Sequence, residues 1–427
     1  MALTTLTTGM AQADFLSALN GNYAYLLTLC NKVAMSVVTI DDAKVGQPLL
    51  DDLNNNFKAY DANYKADHIT LTIGMTNEAY IRSLNANFQA IEDKVNEWSL
   101  IAAYANSLAK TQTNDISVIG STGSALYGSA SYAPNGKIYA GPYGGSGNIL
   151  CIDTADDSIS YIGSGLGNTN GSVYCNGYVF FFPIDNTHHI IVLNTTTHAI
   201  TTIGTTQQDC IRGVEGPNGK VYTIAYGSPG QCFEIDPVGM TITAFGSFNG
   251  TYRGLVNAPD GTILAMPYSG STSGIMRINP WTHAITYFGT VNNGHWGGAI
   301  SPVNSKIYSF PIEVGTDTTV YKIDADTGTV STFGTVDSHL MTFTGPNGKI
   351  YSLPYNTGIC SVVNPSNDSI AQFQFDAGGY PHKYGGVCVA PNGHAYAIPN
   401  GYGDIVKLFS PLTIDSKFCL SRFFNNN

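Results

Sequence analysis

The amino-acid sequence predicts a mainly β fold, a seven-bladed β-propeller preceded by a small α-helical N-terminal domain. Two internal repeats carry this prediction. The longer repeat recurs seven times at intervals of 41 to 45 residues, and one position in it is held by Tyr139, Phe180, Tyr222, Leu264, Tyr308, Tyr351 and Tyr396. That period is typical of propeller blades. The shorter repeat, in the first hundred residues, has helical periodicity. We therefore divide the chain into a helical domain (1–110), a propeller (111–411) and a C-terminal tail (412–427).

Four strands are predicted in each propeller repeat. Turns of the type Pro134-Asn135-Gly136 join the first strand to the second, because Asn-Gly and Asp-Gly tolerate the positive φ angles of tight hairpins. The second strand ends in most repeats at a proline such as Pro142, which cannot donate to a ladder. The third ends at Asp or Asn, as at Asp153, where a side-chain oxygen can close a turn. The fourth ends at glycine, as at Gly163.

The count of fourth strands predicts how the ring closes. Six of them follow a third strand, whereas seven third strands are present. The missing member lies upstream of the first repeat, where residues 115–120 nearly copy residues 158–163. We predict that strand 115–120 completes the last blade and removes the exposed edges of an open sheet. The alternative uses residues 414–420, which lack the terminal glycine.

Composition excludes several classes of function. Charged residues make up 11% of the 427 residues, against about 25% in an average domain, and the net charge is −11. Nucleic acids bind to basic surface patches, and this chain is acidic overall, so we expect no nucleic-acid partner. No secretory signal or apolar run long enough to span a membrane is visible, which predicts synthesis in a cytoplasm without membrane insertion.

Cysteine and histidine spacing indicates neither a metal nor a cofactor. The eight cysteines lack any Cys-x-x-Cys pair and are interpreted as small buried apolar residues, with disulfides as the alternative. The nine histidines form no His-Glu-x-x-His motif, and no Gly-x-Ser-x-Gly elbow or phosphate loop occurs. Glu215, on a predicted inner strand, is the one unusual acid. We predict no catalytic residue, with a general-acid role for Glu215 as the alternative.

Three short amphipathic helices are predicted in the N-terminal domain. In each, apolar residues recur at i, i+4 and i+8, as in Phe15, Leu19 and Tyr23. Helices this short are marginal in water unless the apolar face is covered. They are expected to pack on one another within the chain or on the same helices of neighbouring subunits.

These Leu-Asn-x-Asn-Phe helices resemble the N-terminal attachment regions of tailed-bacteriophage fibres, whiskers and other virion appendages, over about residues 5–97. The resemblance implies a virion location. It also implies two kinds of partner, other virion proteins and further copies of the chain, with a trimer as the favoured oligomer. It implies that anchoring or oligomerisation is carried by Leu19, Asn20, Asn22, Tyr23, Leu53, Asn54, Asn56, Phe57, Leu84, Asn85, Asn87 and Phe88. Because three copies occur in one chain, the threefold packing lies either within or between chains. The propeller repeats resemble those of phage and bacterial proteins of diverse role and, weakly, lyases that act on cyclic antibiotics.

A ligand-binding site is predicted where one loop per blade gathers around the mouth of the central channel. Aromatic faces stack on sugar rings and arginine forks bind carboxylates, which suits an acidic glycan. The candidate ligand-binding residues are Tyr127, Arg212, Tyr252, Arg253, His295, Trp296, Lys383 and Tyr384. In the alternative, these aromatics only plug the channel. Tyr143, Tyr226, Tyr268 and Tyr355, at the ends of second strands, are interpreted as repeat packing.

The expected function is therefore that of a structural virion protein of a tailed phage. Its N-terminal helices anchor it, and its propeller serves host-surface glycan attachment or particle decoration. Two alternatives stay open. One is a propeller enzyme, a lyase or glycan hydrolase, which needs histidines and carboxylates converging at the channel mouth. The other is a purely structural collar or shell component.

Overall fold

The computed structural model describes residues 116–409 apart from 145–146, 186–187, 207, 270–273, 293, 313–317, 356–357, 376–383 and 401–402. The predicted helical domain with its anchoring residues, the C-terminal tail and Lys383 lie outside the described residues. Within the described part, no helix has the length and hydrophobicity needed to cross a membrane.

The described chain forms seven four-stranded antiparallel sheets, the blades, so the predicted mainly β, seven-bladed propeller is confirmed. The strands are numbered in chain order and given below from the axis to the rim. Blades 1 and 2 contain β3 (Ser131–Ala133), β4 (Lys137–Ala140), β6 (Ile149–Asp153) and β7 (Ile159–Ile162), then β8 (Thr169–Cys175), β9 (Tyr178–Pro183), β10 (Ile190–Asn194) and β11 (Ile200–Ile203). Blades 3 and 4 contain β12 (Cys210–Glu215), β13 (Val221–Ala225), β14 (Gly230–Asp236) and β15 (Thr241–Phe248), then β16 (Thr251–Asn257), β17 (Ile263–Ser269), β18 (Ile275–Ile278) and β19 (Ile285–Phe288). Blades 5 and 6 contain β20 (Ala299–Ile300), β21 (Ile307–Ser309), β22 (Thr319–Asp324) and β23 (Thr329–Thr335), then β24 (His339–Thr344), β25 (Ile350–Pro354), β26 (Ile359–Asn364) and β27 (Ser369–Gln374). Blade 7 contains β28 (Tyr384–Val389), β29 (Ala395–Pro399), β30 (Asp404–Leu408) and β1 (Ile116–Ser121), and a short extra pair joins β2 (Leu126–Tyr127) to β5 (Pro142–Tyr143).

The ring closes through β1, the first strand of the described residues. It runs antiparallel to β30, from the pair Ile116 and Leu408 to the pair Ser121 and Asp404. The outer strand of blade 7 is thus the segment that the sequence analysis identified upstream of the first repeat. The alternative closing segment, 414–420, lies outside the described residues.

A glycine near the end of an outer strand makes room for the next blade. A Cβ atom added at Gly246, whose φ is +55°, would stand 2.4 Å from Cδ1 of Ile285 in the outer strand of blade 4. The same contact closes the ring, because a Cβ at Gly120 in β1 would lie 2.3 Å from Cδ1 of Ile159 in blade 1. This packing explains why the glycine recurs in the sequence.

An asparagine in the first turn of a blade donates a hydrogen bond to the neighbouring blade. In blade 1, Nδ2 of Asn135 donates to the Tyr139 hydroxyl at 2.8 Å and to the Thr195 carbonyl of blade 2 at 2.7 Å. In blade 7, Nδ2 of Asn392 donates to the Tyr396 hydroxyl at 2.9 Å and to the Thr154 carbonyl of blade 1 at 3.0 Å. The same amide-to-tyrosine bond occurs at Asn218 and Tyr222, at Asn304 and Tyr308, and at Asn347 and Tyr351. The closing interface is therefore built like the others.

Removing one hydroxyl from the closing interface should destabilise the whole ring. The buried Tyr396 hydroxyl accepts from Asn392 and donates to Oδ1 of Asp157 in blade 1 at 2.9 Å. Tyr396→Phe should lower the free energy of unfolding by about 1–3 kcal/mol, because polar partners lose a hydrogen bond in a partly buried site. Urea denaturation measures the change, with Tyr161→Phe, on an exposed tyrosine of an outer strand, as the control. Equal stability of the two variants would contradict this role.

The two faces of the ring carry different connections. Turns between first and second strands and between third and fourth strands lie on one face, here called the turn face. The other connections lie on the opposite loop face, where the inner strands begin. Because Ile116 pairs with Leu408, the last residue of a third strand, the chain enters the ring at the turn face.

Third-strand carboxylates are turn formers, as predicted. Oδ1 of Asp153 accepts from the Ala155 N–H at 3.0 Å, and Oδ1 of Asp236 accepts from the Val238 N–H at 2.8 Å. Asp324 makes the equivalent bond.

Candidate functional site

The inner strands are irregular close to the loop face. The pairing register shifts between Cys210 and Gly213 in β12 and between Arg253 and Leu255 in β16. Such bulges redirect side chains and are common beside functional sites. At its bulge Arg212 has a φ of +64°, whereas the neighbouring blades place glycine at the corresponding point, Gly171 and Gly254. A left-handed conformation is unfavourable for a residue with a side chain, so this position is a candidate functional one.

Arg212 reaches across the ring axis. Its Nη2 donates to Sδ of Met341 at 2.7 Å and to the Gly385 carbonyl at 3.1 Å, in the inner strands of blades 6 and 7. The residue is 3% exposed, and its Nε and Nη1 have no hydrogen-bond partner. It forms no ion pair with any carboxylate in the described part of the chain. Within the part of the chain that the structure describes, Arg212 is thus a buried cation without a counter-charge.

Arg253 is enclosed by three aromatic rings. Its Cζ lies 3.6 Å from the ring centroid of Tyr268, 4.0 Å from that of Trp296 and 4.6 Å from that of Tyr226. Cation–π attraction of this kind strengthens when the cation is desolvated, and Arg253 is 7% exposed. Tyr226 is 41% exposed and forms the open side of the cluster. Cζ of Arg212 lies 5.9 Å from the same Trp296 ring, so two guanidinium groups share one indole.

These five residues, Tyr226, Arg212, Arg253, Tyr268 and Trp296, are called the collar. Burial, followed by the charge of Arg253, lowers the pKa of Arg212 to about 10, which leaves it protonated at neutral pH. The unpaired buried atoms of the collar are Nε and Nη1 of Arg212, Nε of Arg253 and Nε1 of Trp296. All are N–H donors, so the collar is suited to bind groups that accept hydrogen bonds and carry negative charge.

The structure brings together three of the eight predicted binding residues, Arg212, Arg253 and Trp296. Tyr127 and Tyr252 are completely buried, and their hydroxyls donate to Oδ1 of Asn148 at 2.7 Å and to the Gly274 carbonyl at 3.2 Å. Tyr384 is buried edge-on against Phe375, with ring centroids 5.0 Å apart. These three tyrosines belong to the interior because their rings fill space within and between blades.

The histidines near the loop face are buried and separately bonded. Nδ1 of His295 lies 2.9 Å from Oγ of Ser309, and its ring meets Tyr321 edge-on. Nδ1–H of His339 donates to the Asp337 carbonyl, and burial lowers the pKa of His339 to about 4, so its ring is neutral at pH 7. Nε2 of His188, between the second and third strands of blade 2, lies 3.3 Å from Oδ1 of Asp209. No cluster of three metal-ligand side chains occurs among the described residues.

Acid should destabilise the propeller partly through His339. Its pKa is about 4 in the folded chain and about 6.5 when unfolded, so the unfolded state binds more protons between these values. Stability should therefore fall as the pH drops from 6.5 to 4, by about 2–3 kcal/mol from this residue. His339→Gln should flatten that slope in urea denaturation curves, whereas the control His189→Gln should leave it in place. An unchanged slope in His339→Gln would contradict the assignment.

Two collar residues, Tyr226 and Tyr268, are not among the predicted binding residues. Tyr226 and Tyr268 were interpreted as repeat packing, and in the structure both rings lie against Arg253, which is not a repeated residue. Their positions in the sequence could have indicated this contact. Both lie at the ends of second strands, in blades 3 and 4, and the strand that carries Arg253 lies between them in the sequence. Glu215 lies at the other end of β12, on the turn face, and is therefore not part of the collar.

No protein-family model matches the sequence, and a search of curated proteins finds no match. Solved structures do match. A streptogramin B lyase has 14% identity and a TM-score of 0.56, covering 70% of this chain and 98% of its own. Virginiamycin B lyase from Staphylococcus aureus has 13% identity and a TM-score of 0.57, covering 70% and 100%. YCF48 bound to a D1 peptide has 11% identity and a TM-score of 0.53, covering 71% and 96%. At such identities the likeness establishes the fold alone, and the chain is a seven-bladed β-propeller with a collar of two arginines and three aromatic rings.

Proposed function

We propose that this chain is a structural protein of a tailed-phage particle whose propeller head binds a glycan on the host surface. The observation that carries the proposal is the collar on the loop face. There Arg253 is held among three aromatic rings, one of them exposed. Aromatic rings offer flat apolar faces to sugar rings, and fixed polar groups beside them give orientation.

The direction of the chain supports display of this collar. Ile116 lies at the turn face, and the inner strands that carry Arg212 and Arg253 begin at the loop face. The first described residue of the ring therefore lies on the side away from the collar. The Leu-Asn-x-Asn-Phe helices, with apolar faces that need a partner, are the proposed anchor.

Binding without turnover is proposed because the collar offers only one kind of chemistry. Its buried unpaired atoms are all N–H donors, and neither arginine pairs with a carboxylate in the described part of the ring. A glycan hydrolase or a lyase commonly needs a group that takes up or releases a proton near neutral pH. The buried His339 beside the axis is held neutral by its lowered pKa.

Adsorption of the purified full-length chain to host cells tests this function. Trp296→Ala and Arg253→Ala should each weaken adsorption at least about tenfold, as expected for enclosed aromatic and arginine anchors. The matched control is Trp281→Ala, because Trp281 is 59% exposed in a turn of blade 4 on the turn face. Circular dichroism checks that each variant is folded. Full adsorption by both collar variants, or an equal loss in the control, would reject the proposal.

A further inference from the structure

We propose that the group recognised by the collar is an oxyanion carried on a sugar, either a carboxylate or a sulfate or phosphate ester. Arg253 contacts the oxyanion, and the buried Arg212 supplies a second positive charge without contacting it. This inference rests on the proposed function for the place of binding. It adds the chemical class of the ligand and a role for Arg212.

The collar leaves one kind of hydrogen-bonding group unpaired at the place where the ligand would make contact. Nε of Arg253 and Nε1 of Trp296 are buried without a partner and can only donate. A sugar hydroxyl is both a donor and an acceptor, so it would use such a site incompletely. An oxyanion only accepts, and it therefore matches a set of groups made up only of donors.

Three aromatic rings surround the guanidinium of Arg253. Its Cζ lies over the rings of Tyr268 and Trp296, with centroids at 3.6 and 4.0 Å, and over the ring of Tyr226 at 4.6 Å. Because its central carbon is covered by these rings, we infer that the guanidinium binds a ligand through its edge. That edge presents two parallel N–H groups, the arrangement that binds two oxygens of one carboxylate, sulfate or phosphate.

Among the described residues, no carboxylate compensates the charge of the two guanidinium groups. Two guanidinium groups lie 4.0 and 5.9 Å from one indole ring, both are buried, and no carboxylate of the described chain pairs with either. Like charges in a poorly solvated site destabilise each other, and an anion that binds beside them relieves this repulsion. Arg212 is 3% exposed and fixed by the Gly385 carbonyl, so it acts through its charge and is a positioning residue.

Three sugars that share one ring test the inference on the full-length chain. The probes are methyl glucuronide with a carboxylate, glucose 6-sulfate with a sulfate ester, and neutral methyl glucoside, each titrated by isothermal calorimetry. At least one anionic sugar should bind at least about tenfold more tightly than the neutral sugar. The two anionic arms show which oxyanion is preferred.

Variants of the two arginines separate contact from charge. Arg253→Lys keeps the charge but loses the two parallel N–H groups of the guanidinium, so it should weaken binding of the anionic sugar about tenfold. Arg212→Met should weaken it about three- to tenfold, reduce its dependence on salt, and leave the neutral sugar unchanged. Arg212→Lys keeps the charge and should retain the preference for the anionic sugar, which gives a second test should the Met variant fail to fold.

Two results would overturn the inference. One is equal binding of neutral and anionic sugars, and the other is no binding of either anionic sugar at millimolar concentration. In both cases the adsorption experiment decides separately on the proposed function. If adsorption still depended on Trp296, the glycan-binding function would be supported, and only the oxyanion as the recognised group would be rejected.

Discussion

Proline at Ser117 and Val118 together should open the ring and lower the free energy of unfolding by at least about 3 kcal/mol. These residues of β1 pair with Lys407 and Val406 of β30. In an antiparallel ladder alternate residues bond to the partner strand, so two adjacent prolines remove at least one ladder N–H. The loss also frees the edge of β30 and the Gly120 contact with Ile159, which together hold blade 7 to blade 1.

Urea denaturation and light scattering measure this effect. The variant should unfold at lower urea and aggregate, because an unpaired strand edge is a template for association. The control carries prolines at Gln112 and Thr113, before the first residue of β1. Equal stability of the two double variants would show that β1 is not the closing strand.

Deletion of residues 1–100 should abolish assembly into particles and leave a folded propeller. The ring keeps its closing strand, the hydrophobic clusters of its described residues and its interblade hydrogen bonds in this truncation, so its stability should change little. The removed segment contains all three predicted apolar helix faces, which are the proposed means of attachment. Mass spectrometry of purified particles measures incorporation.

The full-length Arg253→Ala chain is the matched control for this deletion. It should enter particles at the normal level, because its change lies at the loop face and leaves the helices intact. If the truncated chain also entered particles at the normal level, attachment would belong to the ring and the anchoring proposal would be wrong.

Sequence repetition made the fold predictable because each repeated residue acts locally or on the next blade. Asn135, for example, bonds a tyrosine four residues later and a carbonyl one blade away. The glycine near the end of an outer strand likewise meets a branched side chain of the next outer strand. Such nearest-neighbour interactions recur with the period of the chain, so the blade count and the closing strand could be predicted from it.

The collar was only partly predictable because its residues depart from the repeat. Arg212 contacts Met341 and Gly385, which lie 129 and 173 residues later, and no period shows which blades face each other across the axis. Tyr226 and Tyr268 occupy a position that the repeat shares, which concealed their contact with Arg253. Tyr127 and Tyr252 were included for their place in the loops, although their rings are directed into the interior.

A cryo-electron density map of an intact tailed-phage particle that contains this chain tests the central claim most directly. The claim is that the propeller is a displayed binding head. The map should show a seven-bladed ring joined to the particle on its turn face, with the loop face around Trp296 open to solvent. A loop face covered by another virion protein, or a ring attached through the collar, would contradict it.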